Sequence, residues 1–83
     1  MVTRPFVSDY LKVKILGYNL QLLNQTVEKL LSKEILPKEQ LLQGNWDGHK
    51  QCEISDDWLL IYKVKFERCL LLVATGTRRE LFG

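Results

Sequence analysis

The apolar residues of this chain change their period once, near Pro37, and that change restricts the folds open to it. Before it, NLQLLNQTVEKLL (19–31) repeats as a helix does: at about 100° per residue, Leu20, Leu23, Val27, Leu30 and Leu31 fall within one arc roughly 100° wide. Asn19 is a favoured N-cap because its side-chain oxygen accepts an orphan backbone N–H, and Gly17 permits the turn that leads into it. The helix is expected to start near Asn19 and to fray before Pro37. After Pro37, β-branched and aromatic residues rise, and Gly44-Asn45, Asp47-Gly48, Ser55-Asp56-Asp57 and Gly76 punctuate the chain as turns. In HKQCEI, Lys50, Cys52 and Ile54 share one strand face, with His49, Gln51 and Glu53 on the other. WLLIYKVK (58–65) and CLLLVAT (69–75) then read as a hairpin around Phe66-Glu67-Arg68. Their continuous apolar runs mark central strands covered by helices. Helices first and an antiparallel meander of three or four strands after them make an α+β layer.

Two segments need separate argument. In SDYLKVKIL, Leu11, Val13 and Ile15 alternate with Lys12 and Lys14 as a strand would, while Ser8 or Asp9 could cap a helix carrying Leu11 and Ile15. Periodicity slightly favours the strand; a short helix ending at Gly17 would make a helical hairpin instead. At the other end, Thr77-Arg78-Arg79-Glu80 fits a capping box, in which Thr accepts from the N3 amide and Glu reaches back to the N-cap amide. A short terminal helical turn follows. It employs Thr77 and Glu80 but leaves Arg78 and Arg79 for other work.

At 83 residues the chain is one domain, 1–83, and buries only about 60 to 65% of its extended surface. Its longest apolar run, CLLLVA, is far short of the roughly 20 residues that span a bilayer, and MVTRPFVSDY lacks the apolar stretch of a secretory signal. A cytoplasmic protein with no membrane association is expected. Cys52 and Cys69 are too few for a disulfide framework and lack zinc-site spacing, so both are expected as buried small hydrophobes. Walker A, dinucleotide and HExxH motifs are absent, so no cofactor or metal is expected. His49 is the only imidazole, which leaves serine or cysteine nucleophile schemes without support; beside its Gly turn it reads as a surface residue. A net charge of +2 gives little whole-chain attraction for phosphates, so nucleic-acid binding would need a local cluster.

One such cluster is interleaved with the sheet: Lys50, Gln51, Glu53, Asp57, Arg78 and Arg79, with Trp46, Trp58 and Phe82 nearby in sequence. Cleaving RNA at its own 2′-hydroxyl needs a base for that proton, a cation for the pentacoordinate phosphate and an acid for the leaving oxygen. Carboxylates and arginines can fill these roles without metal. The plainer alternative is a solvated sheet face with ordinary charge pairs, and Trp46 and Trp58 in the core.

The order of these blocks is informative. LLQGNWDGHKQCEISDDWLLIYKV, followed by LLLVATGTRRELFG, resembles the YafQ branch of the RelE superfamily of bacterial toxins. That fingerprint runs L-x-G-x-W-x-G, a Lys or Arg, D-W-x-L-I-Y-K, a leucine-rich strand, G-T-[H/R] and a final L-F. The resemblance is strong over residues 40–83 and looser in the first half, through F-x-x-D-x-x-K at Phe6 to Lys12, Gly17-Tyr18 and the leucine helix. It implies a RelE-like, microbial-RNase-like fold, with two N-terminal helices packed on a twisted antiparallel sheet. On that ground residues 8–16 are expected as helix.

The resemblance also implies a function: the toxin of a type II toxin-antitoxin system, a ribosome-dependent endoribonuclease that cuts mRNA in the A site by metal-independent 2′-hydroxyl attack. A cognate RelB- or DinJ-like antitoxin would silence it, and operator DNA would be reached only through that antitoxin. Asp57 and Trp58 stand at the family's Asp-Trp, Lys50 at the basic position after W-x-G, and Phe82 at the terminal aromatic that stacks on a base. Three positions where this branch usually shows histidine hold Gln40, Glu53 and Arg78, and Ala74 replaces the basic residue before Thr-Gly-Thr. Gln40 cannot transfer a proton, but it can hydrogen-bond a phosphate or base. The roles implied are catalytic for Glu53, Asp57, Arg78 and Phe82, and RNA-binding for Gln40, Lys50 and Arg79. A second reading is a catalytically weakened homologue that acts as antitoxin-binding partner and operon co-repressor, and a third is a gyrase poison of the same fold. The family's first strand precedes the Phe; here only MVTRP is available, and Pro5 cannot donate to a ladder, so an edge left for the antitoxin to cover is expected.

Overall fold

Helix α1, Arg4–Ile15, begins where Thr3 Oγ1 accepts the Phe6 N–H at 3.2 Å. Pro5 sits in its first turn, where a missing N–H leaves no bond unmade. The residues with strand-like alternation are therefore helical, as the family resemblance implied, and the helix starts earlier than Ser8. Gly17, at φ 83°, turns the chain, and Asn19 Oδ1 accepts the Gln21 N–H at 3.1 Å to start α2, Leu20–Leu31. The computed structural model describes residues 1–33, 39–66 and 69–83. Pro37 and the Glu67-Arg68 part of the hairpin turn lie outside them.

Strands β1 (Gln40–Leu41), β2 (Lys50–Ser55), β3 (Trp58–Lys65) and β4 (Cys69–Thr77) form one antiparallel sheet in chain order. A 3-10 turn at Gly44–Trp46 joins β1 to β2, and a terminal helix α3, Arg78–Phe82, follows β4. In place of a full first strand, residues 1–3 lie along the outer edge of β4: the Leu72 N–H donates to Met1 O at 2.9 Å and the Thr3 N–H to Leu72 O at 3.0 Å. The edge expected to await a partner is thus occupied at its centre. Pro5 does not interrupt this pairing because it comes after it.

The sheet has two unlike faces. One packs Cys52, Trp58, Leu60, Tyr62 and Leu72 against Phe6 and Val13 of α1 and Leu23 of α2. Leu60 and Cys52 are 0% exposed and Tyr62 1%, and each such aliphatic or aromatic side chain contributes about 1.5 to 3 kcal/mol on burial. Trp58 belongs to this core: its indole N–H donates to Thr75 Oγ1 at 2.8 Å, and that hydroxyl donates to Leu59 O at 2.7 Å. The other face carries a smaller cluster of Leu42, Ile61 and Ala74 under Trp46, Val73 and Leu81. A bulge in the β3–β4 pairing beside Ile61 separates the two registers.

Cysteine placement divides. Cys52 is enclosed, and burial pushes its thiol up to about 12, whereas Cys69 is exposed. The expectation of two buried thiols fails for Cys69 because it opens β4 opposite Lys65, away from the packed centre of the sheet. Among the described residues, no helix is long and apolar enough to cross a membrane.

Candidate functional site

Residues paired across an antiparallel sheet project to the same side, so the register sorts the candidate side chains. One row runs Gln40, Gln51, Ile61, Ala74 across all four strands; the next runs Glu53, Leu59, Gly76. Gln40, Gln51 and Glu53 therefore share the face opposite the helices, as the alternation in HKQCEI implied. Lys50 does not join them. It pairs with Tyr62 and lines a cleft with Leu30, Lys33, Glu39 and Leu70, in which the Tyr62 hydroxyl donates to Glu39 at 2.5 Å. The lysine on the Glu53 face is Lys63, two residues beyond Ile61 on β3, with its Nζ 3.8 Å from where a Cβ on Gly48 would stand.

Asp57 and Arg78 meet at the end of the sheet. The Arg78 backbone N–H donates to Asp57 Oδ1 at 3.4 Å, so the carboxylate stands at the N-terminus of α3. The capping box forms as read: the Thr77 N–H donates to Glu80 Oε1 at 2.9 Å and the Glu80 N–H to Thr77 Oγ1 at 3.1 Å. Lys12 of α1 adds an ion pair to Glu80 Oε2 at 2.6 Å. That bond, then the Thr77 N–H, holds the Glu80 carboxyl below its usual range, and Glu80 raises Lys12 in turn. Gly76 keeps the approach open, since a Cβ there would stand 3.1 Å from Glu80 Oε1.

With α3 so fixed, Arg78 and Arg79 are exposed and Phe82 is half-exposed, its ring edge-to-face with Trp46 at 6.3 Å. Trp46 packs in the same way on His49 at 5.7 Å. Sequence reasoning passed over Lys63, put Gln51 in the polar cluster without giving it a role of its own, and left Trp46 to the core. The signal for Lys63 was there, since it alternates with Leu59 and Ile61 on β3. Chemically, the face offers a half-buried carboxylate at Glu53, a cation at Lys63 and an aromatic shelf at Phe82 and Trp46. Asp57, Arg78 and Arg79 stand at the end of the sheet where β4 passes into α3, Asp57 there also lining a cleft with Tyr18, Asn19 and Trp58. The row through Gln40, Gln51, Ile61 and Ala74 holds no proton carrier. Among the described residues, no group of three His, Cys, Asp or Glu side chains gathers as metal ligands do.

Comparison with known proteins bears on the fold and the family. The family model described as "Bacterial toxin of type II toxin-antitoxin system, YafQ" matches residues 1–83. The "mRNA interferase toxin YafQ" of Escherichia coli strain K12 is 41% identical over 46 residues, which are 55% of this chain and 49% of the relative, so the chain matches about half the length of that curated protein. The crystal structure of YafQ from E. coli BL21(DE3) superposes with a TM-score of 0.90 at 26% identity, covering 99% of this chain and 94% of the other. YafQ in the E. coli DinJ-YafQ complex gives a TM-score of 0.87 at 28% identity, covering 99% and 94%. Matched along its whole length by the family model, with the same helices-over-sheet fold as the solved YafQ structures, the chain belongs to the YafQ family of bacterial toxins of type II toxin-antitoxin systems.

Proposed function

We propose that this chain is a ribosome-dependent endoribonuclease that cleaves mRNA in the A site through attack of the RNA's own 2′-hydroxyl. The observation that carries the reading is the bond that joins the Arg78 N–H to Asp57 at the end of a sheet one of whose faces bears Glu53, Lys63 and the Phe82–Trp46 shelf. The name of the E. coli relative, an mRNA interferase toxin, supports it.

In this mechanism Glu53 takes the 2′-hydroxyl proton, the oxygen attacks the adjacent phosphorus, and the 5′-oxygen leaves with a proton from the Asp57 end of the site or from water. The products are a 2′,3′-cyclic phosphate and a 5′-hydroxyl, so no metal is called for. Arg78 and Lys63 face the charge that grows on the phosphoryl oxygens; loss of one preorganised donor of this kind costs about 10²- to 10³-fold in rate. Asp57 accepts the Arg78 backbone N–H and so positions that arginine as well. Phe82 stacks on a base, an interaction of about 1 to 3 kcal/mol. Arg79 and Gln40 hold the strand, and the ribosome presents it.

A cognate antitoxin of the DinJ kind silences the toxin in the cytoplasm, as the E. coli DinJ-YafQ complex suggests by likeness, and operator DNA is reached only through it. One observation favours the second reading, a weakened homologue kept for antitoxin binding and co-repression: Gln40 and Ala74 leave their row without a proton carrier.

Primer extension on mRNA from cells briefly expressing the chain separates the two. The nuclease reading expects codon-phased cuts that disappear with Arg78→Ala and on a transcript whose translation is blocked. A folded chain that captures antitoxin yet makes no cuts is the weakened homologue.

A further inference from the structure

Gln51 is a buried carboxamide, 3% exposed, on the face that the proposed chemistry uses. Its Nε2 donates to Gln40 Oε1 at 3.2 Å across the β1–β2 pair, and among the described residues its own Oε1 finds no hydrogen-bond partner. A side chain so placed gains nothing for packing that a leucine would not supply better, since an unpaired buried carbonyl is unfavourable. What it does is fix Gln40. With Oε1 of Gln40 engaged, the group that exposed residue presents outward is its NH2, which only donates. The reverse orientation of Gln51 would bury an NH2 with two unused donors, and orphaned N–H groups are rarer than under-satisfied carbonyls.

We propose that Gln51 is a positioning residue that clamps the Gln40 carboxamide NH2-outward, making Gln40 a donor-only contact for an acceptor oxygen of RNA. The ligand class rests on the nuclease reading; the clamp rests on the geometry. Two sources share the chemistry, a phosphate oxygen and a base carbonyl such as guanine O6 or uracil O4. Adenine, whose Watson–Crick edge pairs an amine donor with a ring nitrogen, offers no such oxygen on its base. In the position of a proton carrier, the pair would therefore bind or read RNA instead of cutting it.

The test uses the ¹⁵N-labelled full chain titrated with short single-stranded RNAs that differ at one base, with melting temperature and codon-phased cleavage measured on the same variants. Expected are a shift of the Gln40 side-chain NH2 resonances on adding RNA and, for Gln51→Leu, a melting temperature equal to or above the wild type's with several-fold weaker RNA binding. Gln40→Glu, acceptor-only and negative, is expected to bind about tenfold more weakly, through one lost hydrogen bond and a repelled phosphate. A loss independent of base assigns the contact to phosphate, and a loss confined to guanine or uracil assigns it to the base carbonyl. The proposal is overturned if Gln51→Leu lowers the melting temperature while RNA binding and cleavage stay as they were, the mark of a merely structural glutamine. It is equally overturned if Gln40→Glu binds as the wild type does, or if RNA leaves the Gln40 NH2 unmoved. A wild type that shifts with RNA but makes no codon-phased cuts sinks the nuclease reading and leaves the clamp standing.

Discussion

On the helix side of the sheet, Cys52, Leu60 and Tyr62 are closed off beneath α1 and α2, whereas on the other side Gln40, Glu53 and Lys63 surround a small apolar patch covered by the Gly44–Trp46 turn and α3. Strand pleat alone separates them. Lys50 and Gln51 are neighbours in sequence, yet one points into a cleft beside Tyr62 and the other towards Ile61. A one-residue slip of β2 would exchange them, burying a lysine and exposing Cys52, so the register that builds the core also builds the site. One face stores stability and the other spends its surface on function.

The largest effect that could break this contrast is Leu60→Ala. Truncating a fully enclosed leucine is expected to cost about 2 to 5 kcal/mol by urea denaturation, and a cost under 1 kcal/mol would mean that the helix face is not the stability store. Smaller is Thr77→Ala. It removes the N-cap acceptor of α3, so a loss of about 1 kcal/mol is expected together with reduced cleavage, because Arg78 and Phe82 ride on that helix. Unchanged cleavage would show that α3 holds its place by packing alone.

The smallest effect is a pH dependence of the same helix. Glu80 is held below its ordinary 4.5 by Lys12 and Thr77, so its contribution is present above the unfolded carboxylate's pKa and is lost as pH falls through the folded one. The protection of α3 amides, taken against the intrinsic exchange rate at each pH, should therefore fall below pH 4.5 before the helix face melts, and Glu80→Gln should abolish the step. The raised pKa of Lys12 acts at the alkaline end, where the bridge is lost as pH rises through that value, above 10.5. Simultaneous melting of both faces at low pH would contradict the separation.

Local features of this fold were readable in the sequence because their partners lie a few residues away: the Asn19 cap, the Thr77–Glu80 box and the alternation of HKQCEI. Residues 8–16 were not. Their alternation mimics a strand, and what settles the helix is an initiating Thr3 and a first-turn Pro5 upstream of the alternating segment. The exposure of Cys69 depends on where the helices stop covering β4, which no local pattern encodes. The bond from the Arg78 N–H to Asp57 joins residues 21 apart, so motif order names both but cannot pair them. Lys50 is the instructive case. Its alternation with Cys52 and Ile54 already placed it on the face away from Glu53, where it pairs with Tyr62, although the polar cluster read from the sequence grouped the two.

The most direct test of that separation is codon-phased cleavage by purified protein added to translating ribosomes, read by primer extension for Lys63→Ala and Lys50→Ala side by side. If the Glu53 face carries the chemistry, Lys63→Ala loses about 10²-fold in cutting rate while Lys50→Ala cuts as the wild type does. Cleavage lost with Lys50→Ala and kept with Lys63→Ala would place the active surface on the helix side and contradict the account.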